Sequence, residues 1–381
     1  DGSASECINN KMKHSWPLLP VVFVYLCFVL LNTGGMREMT LPGDYSDSTR
    51  SSTLYDKYCV HYNVIAPKFT DFDRITQIVH VSADVLDNRI IEQVENWDGP
   101  VSMSVVLRSI AQYHCTARFL KKIRRLSADV ERHLRAHLVF PKTLTTNCSA
   151  PFIPPSLSSA SVCEKASSAQ RRSNRPLSCQ HCEKYRSHSV LRKTVRAVAH
   201  SRLAEKPRTM LVYRIFEVDE RVKEFPQNKA DLYELYRSGA AVVFHSLYYP
   251  GAHDIDGLNE WFRKNESVDG LFMKDLRYTR WNWEPQFVSH WQIPLHDENF
   301  PFQLRDNTVL RWEMCRANYT IDVLDDVFVF HRGIKRMSVG GKVLAVQKRN
   351  AARFERALLA FKERMNNSYP NTAKLCPPLQ R

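Results

Sequence analysis

The ten cysteines of this 381-residue chain have no dense, regular spacing, which excludes a small disulfide-stapled scaffold. Acidic residues are also in short supply: 40 Asp and Glu stand against 54 Lys and Arg, a formal net charge of +14. That imbalance favours anionic partners: nucleic acid, acidic lipid, nucleotide-sugars or acidic glycans. No zinc-finger, homeodomain or RRM pattern is legible, so charge alone speaks for nucleic acid, and weakly. No aspartate occurs between Pro141 and Ser189. No small-x-small cleavage site follows the apolar run near the N-terminus.

That run, Trp16 to Leu31 (WPLLPVVFVYLCFVLL), follows Lys11 and Lys13. It reads as a transmembrane signal-anchor over residues 16–32, with a cytoplasmic tail at 1–15 and a lumenal body. Its shortness suits the thinner membranes of the early secretory route, and a Golgi location is expected. A lumenal body also argues against nucleic acid as a partner. Residues 33–58, rich in Gly, Ser, Thr and Asp, read as a stem. Asn147, Asn265, Asn318 and Asn366 each begin an Asn-x-Ser/Thr sequon, which a secreted chain presents for N-glycosylation.

From residue 59 the 44% hydrophobic content is organised periodically. Ile75 to Val81 alternate as a strand, and Asp84 is placed to cap a helix carrying Val85, Ile90, Ile91 and Val94. Trp97-Asp98-Gly99-Pro100 turns into a second strand, Val101 to Leu107. Arg118 to Arg135 brings Phe119, Ile123, Leu126, Val130 and Leu134 to one helical face, the other being basic and solvated. Ala136 to Phe140 supplies a third strand. Strands alternating with helices predict a mostly parallel α/β sheet.

The periodicity stops at 141–189, a low-complexity stretch of Ser, Pro and Arg that cannot bury enough apolar surface to order itself. Cys179-x-x-Cys182, with Cys163, His181 and His188 nearby, lacks a second ligand pair at a standard zinc spacing. With both flanks intact, the segment reads either as a genuine insertion or as wrongly joined coding sequence.

Order resumes at Val190. Ala240 to Tyr249 reads as the next strand, leading to His253. Between Arg277 and Gly333, Trp281, Trp283, Phe287 and Trp291 crowd beside His296, Asp297, Glu298 and Asn299. Aromatic surface next to carboxylates suits a concave site that stacks a ring and reads its polar edge. An aromatic core segment ending in a solvated turn has the same composition. Val323 to Phe330 is a buried strand ending at His331, the place where α/β folds put ligand-binding groups. Leu344, Ala351, Phe354, Leu358, Phe361 and Met365 mark a final amphipathic helix.

WEPQFV, IPLHDENF, a helix with WEM and the VFVFHRG strand together resemble family 49 glycosyltransferases, and the similarity covers roughly 59–140 and 190–376. The resemblance includes a strand ending in Phe216-Glu217, a Phe225-Pro226 turn and a helix from Lys229 to Ser238 with Gly239 at its end. The resemblance implies a GT-A-type domain over 59–376, a Rossmann-like mostly parallel sheet flanked by helices. It implies inverting transfer of glucuronate or N-acetylglucosamine from a UDP-sugar to a glycan acceptor on a glycoprotein, as in O-mannosyl or poly-lactosamine-type elongation. Such domains hold Mn²⁺ with an Asp-x-Asp, because a leaving diphosphate gathers negative charge that a cation neutralises. That position falls in the aspartate-free segment, so the metal site is incomplete in this chain.

His331 matches the family's third metal ligand; Asp254 and Asp256, an Asp-x-Asp after an apolar strand, read either as an exposed turn or as substitute ligands. Asp71-Phe72-Asp73 precedes its strand and reads as a turn. Asp297 and Glu298 fall in the acceptor-side motif and Asp306 near a second one, as candidate bases; Trp283, Glu284 and His253 are expected to contact donor or acceptor. The missing motif implies an alternative, a catalytically inactive member that binds glycan or associates with other glycosyltransferases.

Overall fold

The computed structural model describes residues 27–30, 52–54, 57–67, 75–97, 99–149, 193–195, 197–198, 203, 206–265, 269–290, 292–301, 304–305, 307–336 and 341–379. Asp71, Asp73, Asp98, Trp291, Asp306 and all of 150–192, with its Cys163, Cys179, Cys182, His181 and His188, lie outside them.

Among the described residues eleven strands form one sheet: β1 (Cys27–Leu30), β2 (Ser52–Leu54), β3 (Tyr58–Ile65), β4 (Thr76–Ser82), β5 (Val101–Val106), β6 (Leu134–Pro141), β7 (Thr209–Val218), β8 (Ala241–Val243), β9 (Leu271–Leu276), β10 (Gln286–His290) and β11 (Thr320–Arg332). Their order is β2-β3-β6-β5-β4-β1-β10-β7-β11-β9, and β8 pairs with β7. The expected mostly parallel sheet is corrected to a mixed one. Pairs β4–β5, β5–β6, β1–β10 and β7–β11 are parallel and the other six antiparallel. Parallel neighbours need long crossovers, and the first half supplies them through α1 (Arg89–Trp97), α2 (Ile110–Leu126) and α3 (Ala128–His133).

Two helix expectations also change. Asp84 caps nothing: its carboxylate accepts from Gln112 Nε2 at 2.5 Å and pairs with Arg108 at 3.5 Å, while Asp87 Oδ1 accepts from the Arg89 N–H at 3.0 Å. The single helix expected over 118–135 is two helices and a strand. Ser109 Oγ accepts from the Gln112 N–H and opens α2; Ser127 Oγ accepts from the Val130 N–H and starts α3 afresh. From Leu134 the apolar period becomes 2, with Leu134, Ala136, Leu138 and Phe140 all buried, so the chain extends as β6.

The segment expected to cross a membrane differs as well where it is described. Cys27–Leu30 pair parallel with β10 and antiparallel with β4 as a strand. A short apolar run satisfies a sheet interior as well as a lipid one, and periodicity cannot separate the two. Among the described residues no helix is long and apolar enough to cross a membrane.

In the second half, β7 is buried along all ten residues, as expected for the near-continuous apolar run TMLVYRIFEV covered on both faces. Helix α4 (Lys229–Arg237) is capped by Asn228 Oδ1 and ends before Gly239; α5 (Leu258–Arg263) follows. Strand β8 stops at Val243 instead of running to Tyr249, because His245 takes φ 57° and the chain turns. Strand β11 shifts register between Val323 and Phe328, and there Asp325 pairs with Lys229 at 3.4 Å and Asp326 with Lys193. Helices α6 (Thr308–Arg316) and α7 (Gly341–Ser368) pack together through Trp312, Phe354, Leu358, Phe361 and Met365, while Ala351 is exposed. Disulfides Cys59–Cys148 and Cys315–Cys376 close separations of 89 and 61 residues. Loops of that length are worth about 4 kcal/mol each in the chain-entropy account.

Candidate active site

Because β7 and β11 run parallel, both deliver their C-terminal residues to the same edge of the sheet. His331 stands opposite Glu217 in that register, and both are buried. Beyond them Gly333 takes φ +94°, a region open to glycine at little cost, and its N–H donates to the Val218 carbonyl at 2.6 Å. That turn brings Lys335 back over β7, where its main-chain N–H donates to Glu217 Oε2 at 3.1 Å. His245, just past β8, puts its Nε2 3.8 Å from Glu217 Oε1.

Burial pushes the Glu217 carboxyl up to about 7, opposed by main-chain hydrogen bonds from Lys335 and His245 and by the Lys335 charge. The same burial pulls His331 down to about 4, so its ring is neutral. A carbonyl can only accept, so His331 Nδ1–H donates to the Gly333 oxygen at 3.0 Å and the ring's lone pair is on Nε2. Fixing one ring nitrogen in this way prepares the other as a ligand or base.

The Phe244 ring joins this pair to the neighbouring loop. Its centroid is 3.8 Å from that of His245, 4.9 Å from His253 and 6.1 Å from His331. His253 Nδ1–H donates to the Glu284 carbonyl at 2.9 Å, and burial lowers its pKa. Glu284 donates its N–H to the Ala252 carbonyl at 2.6 Å and accepts from Thr308 Oγ1 at 2.7 Å. The Arg214 guanidinium, buried in β7, donates to the carbonyls of Ile255 at 2.5 Å and Asp256 at 2.6 Å. The expected site residues His253 and His331 therefore both lie near the Phe244 ring, and Glu284 joins them through its carbonyl on His253.

The other expected site residues sit elsewhere in the contact network. Trp283 and Phe287 are core residues: Trp283 is 3% exposed and stacks on Tyr278 at 5.8 Å, so it does not offer the open face expected of a sugar platform. Trp281 is half-buried with the Arg305 guanidinium 3.9 Å from its ring centroid. Asp297 is held at the C-terminal helix by Arg364 at 3.2 Å, which also pairs with Glu313 at 2.7 Å. Glu298 is exposed, and its carbonyl accepts from Arg353 at 3.4 Å. Asp254 and Asp256 are anchored by their carbonyls, Asp254 to Arg280 at 2.6 Å. Asn147, Asn265, Asn318 and Asn366 are all exposed.

Among the described residues, no three His, Cys, Asp or Glu side chains come together as a cation site. Asp254 and Asp256 thus do not complete a ligand set with His331. The described residues do not fit Mn²⁺, which requires several converging hard ligands.

A model of the family described as "Glycosyl-transferase for dystroglycan" matches residues 74–190 and 181–370. The chain belongs to this glycosyltransferase family. Its β-1,4-glucuronyltransferase 1 relatives include those of Mus musculus and Homo sapiens, each 25% identical over 171 residues, and of Danio rerio, 26% identical. The match covers 44% of this chain, which spans 39% of the length of the mouse and human proteins and 38% of the fish one. The mixed α/β sheet with parallel segments fits the GT-A-like domain expected of the family.

Glu217 and Lys335 were not among the residues that the sequence marked out as functional. A carboxylate next to the end of a mostly apolar strand was the available signal for Glu217. Lys335 has none in the sequence, since only the Gly333 turn returns it to β7.

Proposed function

We propose that the chain is a glycosyltransferase that takes a sugar, glucuronate or N-acetylglucosamine, from a UDP-sugar and places it on a glycan acceptor. Its donor site is the edge formed by Glu217, His245, His331 and Lys335. The parallel register of His331 with Glu217 carries this reading, within a family of glycosyltransferases. In the transfer an acceptor hydroxyl attacks the anomeric carbon, the bond to the diphosphate breaks, and UDP leaves with the electron pair. The hydroxyl proton passes to a base, and a carboxyl held at about 7 meets that need at neutral pH. Glu217 is assigned this role ahead of Asp297, whose carboxylate is engaged by Arg364.

Disulfides Cys59–Cys148 and Cys315–Cys376 and the exposed asparagines of the four sequons support a body folded in the secretory lumen. The experiment is a transfer assay on the full chain with UDP-glucuronate and UDP-N-acetylglucosamine over a panel of glycan acceptors. Turnover lost at least about a hundredfold in Glu217→Gln and His331→Ala, with folding retained, supports the site. Unchanged turnover in both variants contradicts it.

A second reading follows from the missing cation site among the described residues. It is a family member that binds glycan, or other glycosyltransferases, without turnover. Glycan binding with no transfer from either donor would select it.

A further inference from the structure

Among the described residues no cation site is complete, which leaves an electrostatic demand to be met by other groups. A departing nucleoside diphosphate gathers negative charge whatever the sugar, and something positive has to face it. Arginine and lysine can meet that demand in place of a metal ion, arginine with a planar fork of donors and lysine with a compact charge. This chain gathers such charge at the sheet edge that carries Glu217 and His331. The sequence His331-Arg332-Gly333-Ile334-Lys335-Arg336 places three permanent cations within five residues of the end of β11.

Their placement is specific. Lys335 Nζ lies 3.7 Å from the Tyr248 ring centroid, and its charge acts on both Glu217 and His331. A cation resting on an aromatic face keeps its charge while losing part of its water, which suits it to exchange that face for an anion. Lys335 is half-buried, and the surroundings that desolvate it also strengthen its attraction for an incoming phosphate. Arg336 is exposed beside it and acts on Asp219, at the end of β7. Arg332 is steered away: its guanidinium lies over Phe225 at 5.1 Å and donates to the Glu220 carbonyl at 3.3 Å.

We infer that Lys335, assisted by Arg336, neutralises the donor diphosphate in place of a divalent cation, so that UDP binding needs no metal. This rests on the donor site proposed above. It departs from the metal-dependent chemistry that the family resemblance implies, and the departure follows from the ligand set that the described residues do not complete.

Calorimetry of the full chain with UDP, in EDTA and again in Mn²⁺, tests it. The expected result is binding in EDTA that Mn²⁺ changes less than about twofold. Lys335→Met should then weaken binding about tenfold at an unchanged melting temperature, and Lys335→Arg should restore it. Binding that requires Mn²⁺ overturns the inference and leaves the donor site standing. Equal binding by Lys335→Met and the unaltered chain in EDTA likewise overturns the role of Lys335 alone. Absence of UDP binding in both conditions overturns the inference together with the donor site.

Discussion

His331 is the parallel-register partner of Glu217, which sets a neutral imidazole beside a fully buried carboxyl at the C-terminal edge of the sheet. Burial acts on the two in opposite directions along the pKa scale and in the same direction in charge, since both are driven toward their neutral forms. The Glu217–His331 pair therefore carries little charge of its own, and Lys335 supplies the charge that an incoming anion meets.

Glu217 should therefore make stability pH-dependent. Its folded value of about 7 stands above the ordinary 4.5, so the folded chain retains a proton that the unfolded chain has released. The contribution is complete below the unfolded value and is lost as pH rises through the folded one, about 3 kcal/mol in all. His245, His331 and Lys335 face the carboxyl and set where the loss falls. Glu217→Gln has no such proton. The melting temperature of the unaltered chain minus that of Glu217→Gln should fall as pH is raised from about 5 to about 8. A difference independent of pH would contradict the assignment.

Arg214 is expected to hold the loop that carries His253. Its guanidinium is buried and pulled down to about 10 by that burial, yet it satisfies the carbonyls of Ile255 and Asp256. Arg214→Met should free both carbonyls and cost about 2–3 kcal/mol. Amide exchange over 252–257 should quicken more than in β4 or β5. Uniform quickening across the sheet would show a general loss of packing instead.

Gly270 should tolerate no side chain. It lies at φ +68°, and an added Cβ would sit 2.8 Å from Ala197 Cβ and 3.0 Å from Ala197 Cα. Neither atom can swing aside as the end of a long side chain would. Gly270→Ala should cost about 3 kcal/mol or more in denaturant unfolding. A loss below about 1 kcal/mol would mean that Ala197 does not pack against Gly270 at the start of β9.

Much of this architecture was legible because it rests on local periodicity. The alternation at Thr76–Ser82, the Trp97–Pro100 turn and the apolar run of β7 each announce their element. The His331 strand was legible for the same reason. What escaped depends on partners distant in sequence. Ser127 ends one helix and opens another partly because Glu95, 32 residues away, takes its hydroxyl at 2.8 Å. The single helix predicted there had no means of including that contact. Trp283 and Trp281 have the same composition as neighbours, and only the fold sends one into the core and leaves the other half-buried under Arg305. Parallel against antiparallel pairing depends on where each connection travels, which periodicity does not record.

The most direct test of a donor site at the Glu217–His331 edge is hydrogen exchange of the full chain with and without saturating UDP. Protection confined to the C-terminal end of β7, the turn at 244–248 and the 331–336 turn is the predicted result. Protection centred instead on Asp297, Glu298 and the facing part of α7, with those three segments unchanged, would contradict it.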